Sequence, residues 1–129
     1  MADYTKRTSA SDLYRLATIL NVSNFHVCRL SELPRVLANK QIKSIVVNLD
    51  SYGGGTHWVS IYKPKKLYFD SYAQVAPIGV PRSYKLASNT KELQSIEATD
   101  CGGLCMLWLH YVAHKSNSQY YSLFKDVYT

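Results

Sequence analysis

The chain has 129 residues, of which 47 % are hydrophobic and 19 % are charged. This composition indicates one globular domain over residues 1–129 and excludes a disordered, collagen-like or coiled-coil protein. Lys and Arg number 15 against 9 Asp and Glu, which gives a formal net charge of +6. This basic balance favours polyanionic partners but falls well short of a nucleic-acid-binding arm.

In chain order, the hydrophobic spacing first predicts a helix over residues 11–22 and a short helical or turn segment over 31–38. Strands are predicted at 42–49, at Trp58–Tyr62 and at Leu67–Phe69, with a tight turn at 63–66 between the last two. Residues 71–92 are expected to be mainly loop, and Cys28 is also placed in a loop. A buried helix over Cys101–His114 and a short helix within 119–128 complete an α+β domain, in which a small mixed sheet packs on the central buried helix.

The three cysteines, Cys28, Cys101 and Cys105, cannot form a closed disulfide framework. Charged residues interrupt the first twenty positions, so that segment lacks the apolar core of a signal peptide. The longest apolar run, residues 104–109, is far shorter than a membrane span. We therefore expect an intracellular protein that is not secreted, has no membrane partner and keeps its thiols reduced.

Cys101 is a candidate nucleophile because it lies in the first turn of the predicted central helix. Free backbone N–H groups and the positive end of the helix dipole favour a thiolate there. Gly102 and Gly103 are unfavourable at this position in a helix, and close approach of a substrate backbone would explain them. The alternative interpretation is a buried structural cysteine followed by glycines of no special significance.

His57 and Asp70 are candidates for the base and the acid that a nucleophilic cysteine requires. His57 comes just before one predicted strand and Asp70 just after the next. If the two strands pair around the turn, these side chains lie side by side. Gln94 could add an amide donor for an oxyanion. Without Cys101, a His–Asp pair of no catalytic role would be the simpler interpretation.

A zinc site is the competing interpretation, because Cys101 and Cys105 are followed by His110 and His114. On a continuous helix the cysteine pair and the histidine pair face opposite directions and cannot bind one ion. We therefore expect no metal, and a packing role for Cys105.

The ordered set of these segments resembles the adenovirus protease (adenain) family, which is related to the SUMO- and ubiquitin-like-protein proteases. The segments are Gly-Gly-Gly-Thr-His57-Trp58, Tyr-Phe-Asp70-Ser, Gln94 and Asp100-Cys101-Gly-Gly-Leu-Cys105. Similar proteases occur in viruses, virophages and virus-like transposons.

The resemblance implies an adenain-like fold with a nucleophilic cysteine, Cys101, at the N-terminus of the central helix. It also implies His57 as general base, Asp70 as the group that orients it, and Gln94 in the oxyanion hole. The family's groove is narrow and prefers small residues, especially glycine, and the residues expected at its wall are Gly54, Gly55, Trp58 and Gly102.

The function implied is a thiol protease, a viral-type cysteine endopeptidase that cleaves structural precursor proteins at Gly-containing sites during virion maturation. The expected partners are viral capsid and core precursors. We expect the protein to be a monomer that acts inside the virion and the infected cell. The chemistry requires no cofactor, and the charge leaves DNA open as an activator. The chain has no cysteine between Asp70 and Cys101, which argues against a disulfide-linked activating peptide.

Two other functions stay open at the level of sequence. One is a deconjugating protease that cleaves a ubiquitin-like protein after Gly-Gly. The other is a non-catalytic, basic DNA-binding or scaffold module on a protease fold.

Overall fold

The computed structural model describes residues 9–49, 57–74, 76–85 and 101–125. It is an α+β arrangement, as the sequence predicts. The helices are α1 (Ala10–Ile19), α2 (Leu33–Ala38), α3 (Arg82–Lys85), α4 (Cys101–His114) and α5 (Tyr121–Phe124). The strands are β1 (Phe25–Arg29), β2 (Ser44–Asn48), β3 (Trp58–Tyr62) and β4 (Leu67–Phe69).

The four strands form one mixed sheet in the order β1-β2-β3-β4. β1 and β2 are parallel and are joined by a crossover that contains α2, whereas β2, β3 and β4 are antiparallel neighbours. A short 3₁₀ turn at Lys63–Lys65 reverses the chain between β3 and β4, and Lys66 closes it in the left-handed conformation with φ of 53°. This tight connection fixes the register in which Ser60 pairs with Phe69.

Helices cover both faces of the sheet, and successive residues of β2 show this directly. Val46 packs in a cluster with α1, α4 and α5, while Ile45 and Val47 pack in a second cluster with α2 and α3. A strand buried on both faces has a continuous apolar sequence rather than an alternating one, which is the pattern that made β2 predictable.

α4 is the most buried helix described. Trp108, in its middle, stacks on Phe69 of β4 with ring centroids 5.3 Å apart, and Phe124 of α5 meets the same Phe69 ring edge-on at 5.7 Å. The contact of α4 with β3 brings the first residue of the helix, Cys101, to the sheet. Within the described ranges, no helix combines the length and apolarity needed to cross a membrane.

The prediction that Cys28 lies in a loop is wrong, because Cys28 is the fourth residue of β1. β1 escaped prediction because Cys28 is its one buried residue, so the strand has no clear alternating or continuous apolar pattern. The predicted segment 31–38 is a 3₁₀ turn, Leu30–Glu32, followed by α2.

The other boundaries differ in detail. α1 starts one residue earlier than predicted, where Ser9 and Asp12 form a reciprocal capping box. α1 ends at Ile19 and β2 begins at Ser44, so both elements are shorter than predicted. α3 interrupts the segment predicted as mainly loop, and the described part of the predicted tail helix is the single turn of α5.

Candidate active site

The hairpin of β3 and β4 places His57 next to Asp70. His57 directly precedes β3 and Asp70 directly follows β4, and the antiparallel register brings the two positions together. The Nε2 atom of His57 lies 2.8 Å from Oδ1 of Asp70. The imidazole side chain is 20 % exposed and the carboxylate 2 % exposed. The contact between His57 and Asp70, predicted from the pairing of the two strands, is therefore confirmed.

The carboxylate of Asp70 is held by its own turn. The backbone N–H of Tyr72 donates to Oδ1 of Asp70 at 2.8 Å, and the N–H of Ala73 donates to the Asp70 carbonyl at 2.8 Å. This is the local hydrogen bonding that favours Asp at the start of a turn. A buried carboxylate held in this way presents a fixed negative charge to the imidazole.

Two further contacts hold His57 besides the one with Asp70. Its carbonyl accepts from the N–H of Leu49 at 2.9 Å, which extends the pairing of β2 with β3 by one residue. Its ring also lies against the ring of Tyr72, with centroids 5.0 Å apart and planes tilted by 37°. Tyr72 was missed at the level of sequence, since nothing distinguishes it from the other tyrosines until the turn after Asp70 folds back over His57.

Cys101 completes the constellation. It is the first residue of α4 and is 5 % exposed. Its sulfur accepts a hydrogen bond from the backbone N–H of Trp58, with 3.4 Å between N and Sγ. The Cys101 side chain is also near enough to His57 to raise the pKa of the imidazole.

The electrostatics of the site favour a protonated imidazole. Burial by itself lowers the pKa of His57, but hydrogen bonds and charge from Asp70 and Cys101 outweigh it and raise the pKa to about 9. An imidazolium between a carboxylate and a sulfur is the arrangement that supports a thiolate nucleophile. The three side chains can therefore supply a nucleophile, a general acid–base and an orienting carboxylate.

The remaining predicted site residues divide into two groups. Gln94, Gly54 and Gly55 lie outside the described residues, so their roles stay predictions. Trp58 is 6 % exposed and packs in the core cluster of α1, α4 and α5, and Gly102 is also buried. Their part in substrate binding likewise stays a prediction. The backbone N–H of Trp58 contacts Cys101.

The two residue pairs weighed as metal ligands have different neighbours. Cys105, like Cys101, contacts the backbone of Trp58, whereas Nδ1 of His110 donates to the carbonyl of Leu20 at 2.9 Å. His114 stacks obliquely on His110 with ring centroids 4.3 Å apart. In the part of the chain that the structure describes, no three His, Cys, Asp or Glu side chains converge as metal ligands.

Comparison with protein-family models, with curated proteins and with solved structures finds no match to this chain.

Proposed function

We propose that this protein is a cysteine endopeptidase with an adenain-like fold, in which Cys101 is the nucleophile. The observation that carries the proposal is the position of one imidazole. Nε2 of His57 lies 2.8 Å from the Asp70 carboxylate, and Cys101 is near enough to raise the pKa of the same imidazole. The residues occur in the order His, Asp, Cys, which is the order of the family that the sequence resembles.

In the proposed reaction, the Cys101 thiolate attacks the carbonyl carbon of the scissile peptide bond. The carbon–sulfur bond forms, and the carbonyl electrons move to oxygen. The backbone N–H of Cys101, one of the first N–H groups of α4, can donate to that oxyanion together with Gln94. His57 then gives its proton to the leaving amine as the carbon–nitrogen bond breaks.

The second half of the reaction regenerates the enzyme. Water attacks the thioester and gives a proton to His57, and the acid product leaves as the carbon–sulfur bond breaks. Asp70 keeps the imidazole in one orientation and stabilises its cationic form in both halves.

The substrates that we propose are structural precursor proteins with glycine before the cleaved bond, processed in the virion or the infected cell. Because Cys101 is only slightly exposed, a small residue before that bond would limit the clash on approach. A deconjugating protease is the alternative, and it would cleave folded ubiquitin-like substrates after Gly-Gly far faster than peptides.

DNA is the activator that we propose, and one observation favours an anionic partner. Lys65 in the hairpin turn lies beside Lys115 after α4, and burial together with this neighbouring charge lowers the pKa of Lys115. Close lysines gain more from an anion than isolated ones. Peptide hydrolysis measured with and without duplex DNA tests this role, and rates that are independent of DNA would contradict it.

The first experiment needs no substrate. The native protein is alkylated with iodoacetamide at about pH 6, and each labelled cysteine is located by mass spectrometry. We expect fast labelling of Cys101 only, slowed at least about tenfold in His57→Ala because the imidazolium no longer stabilises the thiolate. Cys28 serves as the internal control. Slow and equal labelling of all three cysteines in the unaltered protein would overturn the proposal.

A further inference from the structure

Two cysteines in successive turns of α4 are hydrogen-bonded to the backbone of Trp58 in β3. The N–H of Trp58 donates to Sγ of Cys101, and the S–H of Cys105 donates to the carbonyl oxygen of Trp58, each at 3.4 Å. In a strand, the N–H and C=O of one residue point to the same side. Residues four apart on a helix share a face, so the two cysteines meet these two groups together.

Trp58 lies beyond the paired part of β3 and β4. β4 ends at Phe69, whose partner in β3 is Ser60, so Trp58 is two residues beyond the last registered pair of that ladder. On the other side, Asn48 of β2 is paired with Trp58. The start of β3 is thus held by β2 on one side and contacted by the cysteines of α4 on the other.

The position of Trp58 affects the site because this residue is linked to both His57 and Cys101. It is bonded to His57, so a shift of its backbone moves the imidazole. Its N–H donates to Cys101 Sγ, and a hydrogen bond to a thiolate is stronger than one to a neutral thiol. A small displacement of Trp58 therefore weakens the stabilisation of the nucleophile and separates it from the base.

We propose that Cys105 is a positioning residue whose thiol fixes the Trp58 peptide, and through it the spacing of Cys101 and His57. Cys105 is fully buried and so acts through Trp58 rather than by contact with substrate. This goes beyond the packing role that the sequence suggested. The inference rests on the proposed function, because it assumes a reactive Cys101.

The experiment compares Cys105→Ala, Cys105→Val and Cys105→Ser with Cys28→Ala as the matched control. Ala and Val lack a donor, Ser keeps one, and the control removes a buried thiol from a different cluster. The rate of Cys101 alkylation is measured from pH 5 to 10, at a temperature well below the melting temperature of every variant. Cys105→Val takes the place of Cys105→Ala should the latter fail to fold.

We expect Cys105→Ala and Cys105→Val to slow alkylation of Cys101 about threefold to tenfold at pH 6, and to shift the rise of the rate to higher pH. In Cys105→Ser the rate of Cys101 alkylation should stay within about twofold of that in the unaltered protein, because the serine hydroxyl can still donate to the Trp58 carbonyl. Cys28→Ala should leave the whole pH profile unchanged.

The outcomes separate the two proposals. If Cys101 of the unaltered protein reacts no faster than an ordinary thiol, the proposed function and this inference both fail. If it is reactive but the Ala and Val variants match Cys28→Ala, the positioning role alone is wrong. Equal loss in Ser and Val would also overturn it, because the donor would then not matter.

Discussion

Cys28 and Cys101 are each 5 % exposed, yet the groups that surround the two thiols are of different kinds. Cys28 lies in β1 among apolar side chains, and burial, followed by the nearby Glu32 charge, raises its pKa to about 11. Cys101 instead meets an imidazole and a backbone N–H donor. The comparison teaches that equal burial does not determine thiol chemistry. The sign of the neighbouring charge and the presence of donors determine it.

The same contrast extends to the two sides of the sheet. The cluster around Cys28 is formed by β1, α2 and their apolar neighbours, and its thiol fills space. Around Cys101, the ends of β3 and β4 meet the start of α4, so polar groups at the ends of elements converge. Such ends leave side chains and N–H groups available for chemistry.

The largest expected difference is between the loss of the Cys101 thiol and the loss of the Cys28 thiol. Cys101→Ala should reduce kcat/KM on a Gly-containing peptide by at least about 10⁴-fold, because no other group can form the acyl-enzyme. Cys28→Ala should leave kcat/KM within about twofold and lower the free energy of unfolding by about 1 kcal/mol. Steady-state hydrolysis and urea unfolding measure both quantities. Peptidase activity retained in Cys101→Ala would show that Cys101 is not the nucleophile.

The next effect concerns the charges of His57 and Asp70, which are present near Cys101 and absent near Cys28. With the pKa of His57 raised to about 9, activity should fall as the pH rises through this value and the imidazolium loses its proton. In Asp70→Asn the charge that favours the cation is gone, so the alkaline limb should move to lower pH. At pH 8 we expect about 10²-fold lower kcat/KM.

A pH profile of hydrolysis from 6 to 10 checks this expectation. Asp12→Asn is the matched control, because Asp12 also binds a backbone N–H but does so at the start of α1. It should leave the profile in place. Superimposable profiles for Asp70→Asn and the unaltered protein would show that Asp70 does not set the protonation of His57.

A smaller effect is expected from the ring that packs on the imidazole. Tyr72→Ala removes the contact with His57 and should lower kcat/KM about twofold to tenfold, the usual worth of an aromatic contact. Tyr72→Phe keeps the ring and should stay within about twofold. Hydrolysis assays on both variants decide this, and an equal loss in Phe and Ala would assign the role to the hydroxyl instead.

Local signals along the chain accounted for the elements that carry the candidate triad. Trp58–Tyr62, Leu67–Phe69 and Cys101–His114 were predicted with the bounds that the structure has. The contact of His57 with Asp70 followed from the short turn between two strands. These successes share a cause, since periodicity within an element and the register of a tight hairpin depend on residues close in sequence.

The features that the sequence did not reveal all depend on contacts between distant segments. β1 gains its strand form by parallel pairing with β2 across a crossover, and Tyr72 reaches His57 only when its turn folds back. The hydrogen bonds of Cys101 and Cys105 to Trp58 join residues more than forty positions apart. The sequence by itself thus determined which residue types and elements stand ready for thiol chemistry. Only tertiary packing decided that Cys101 and Cys105 both contact the backbone of Trp58, because that depends on where α4 docks on the sheet.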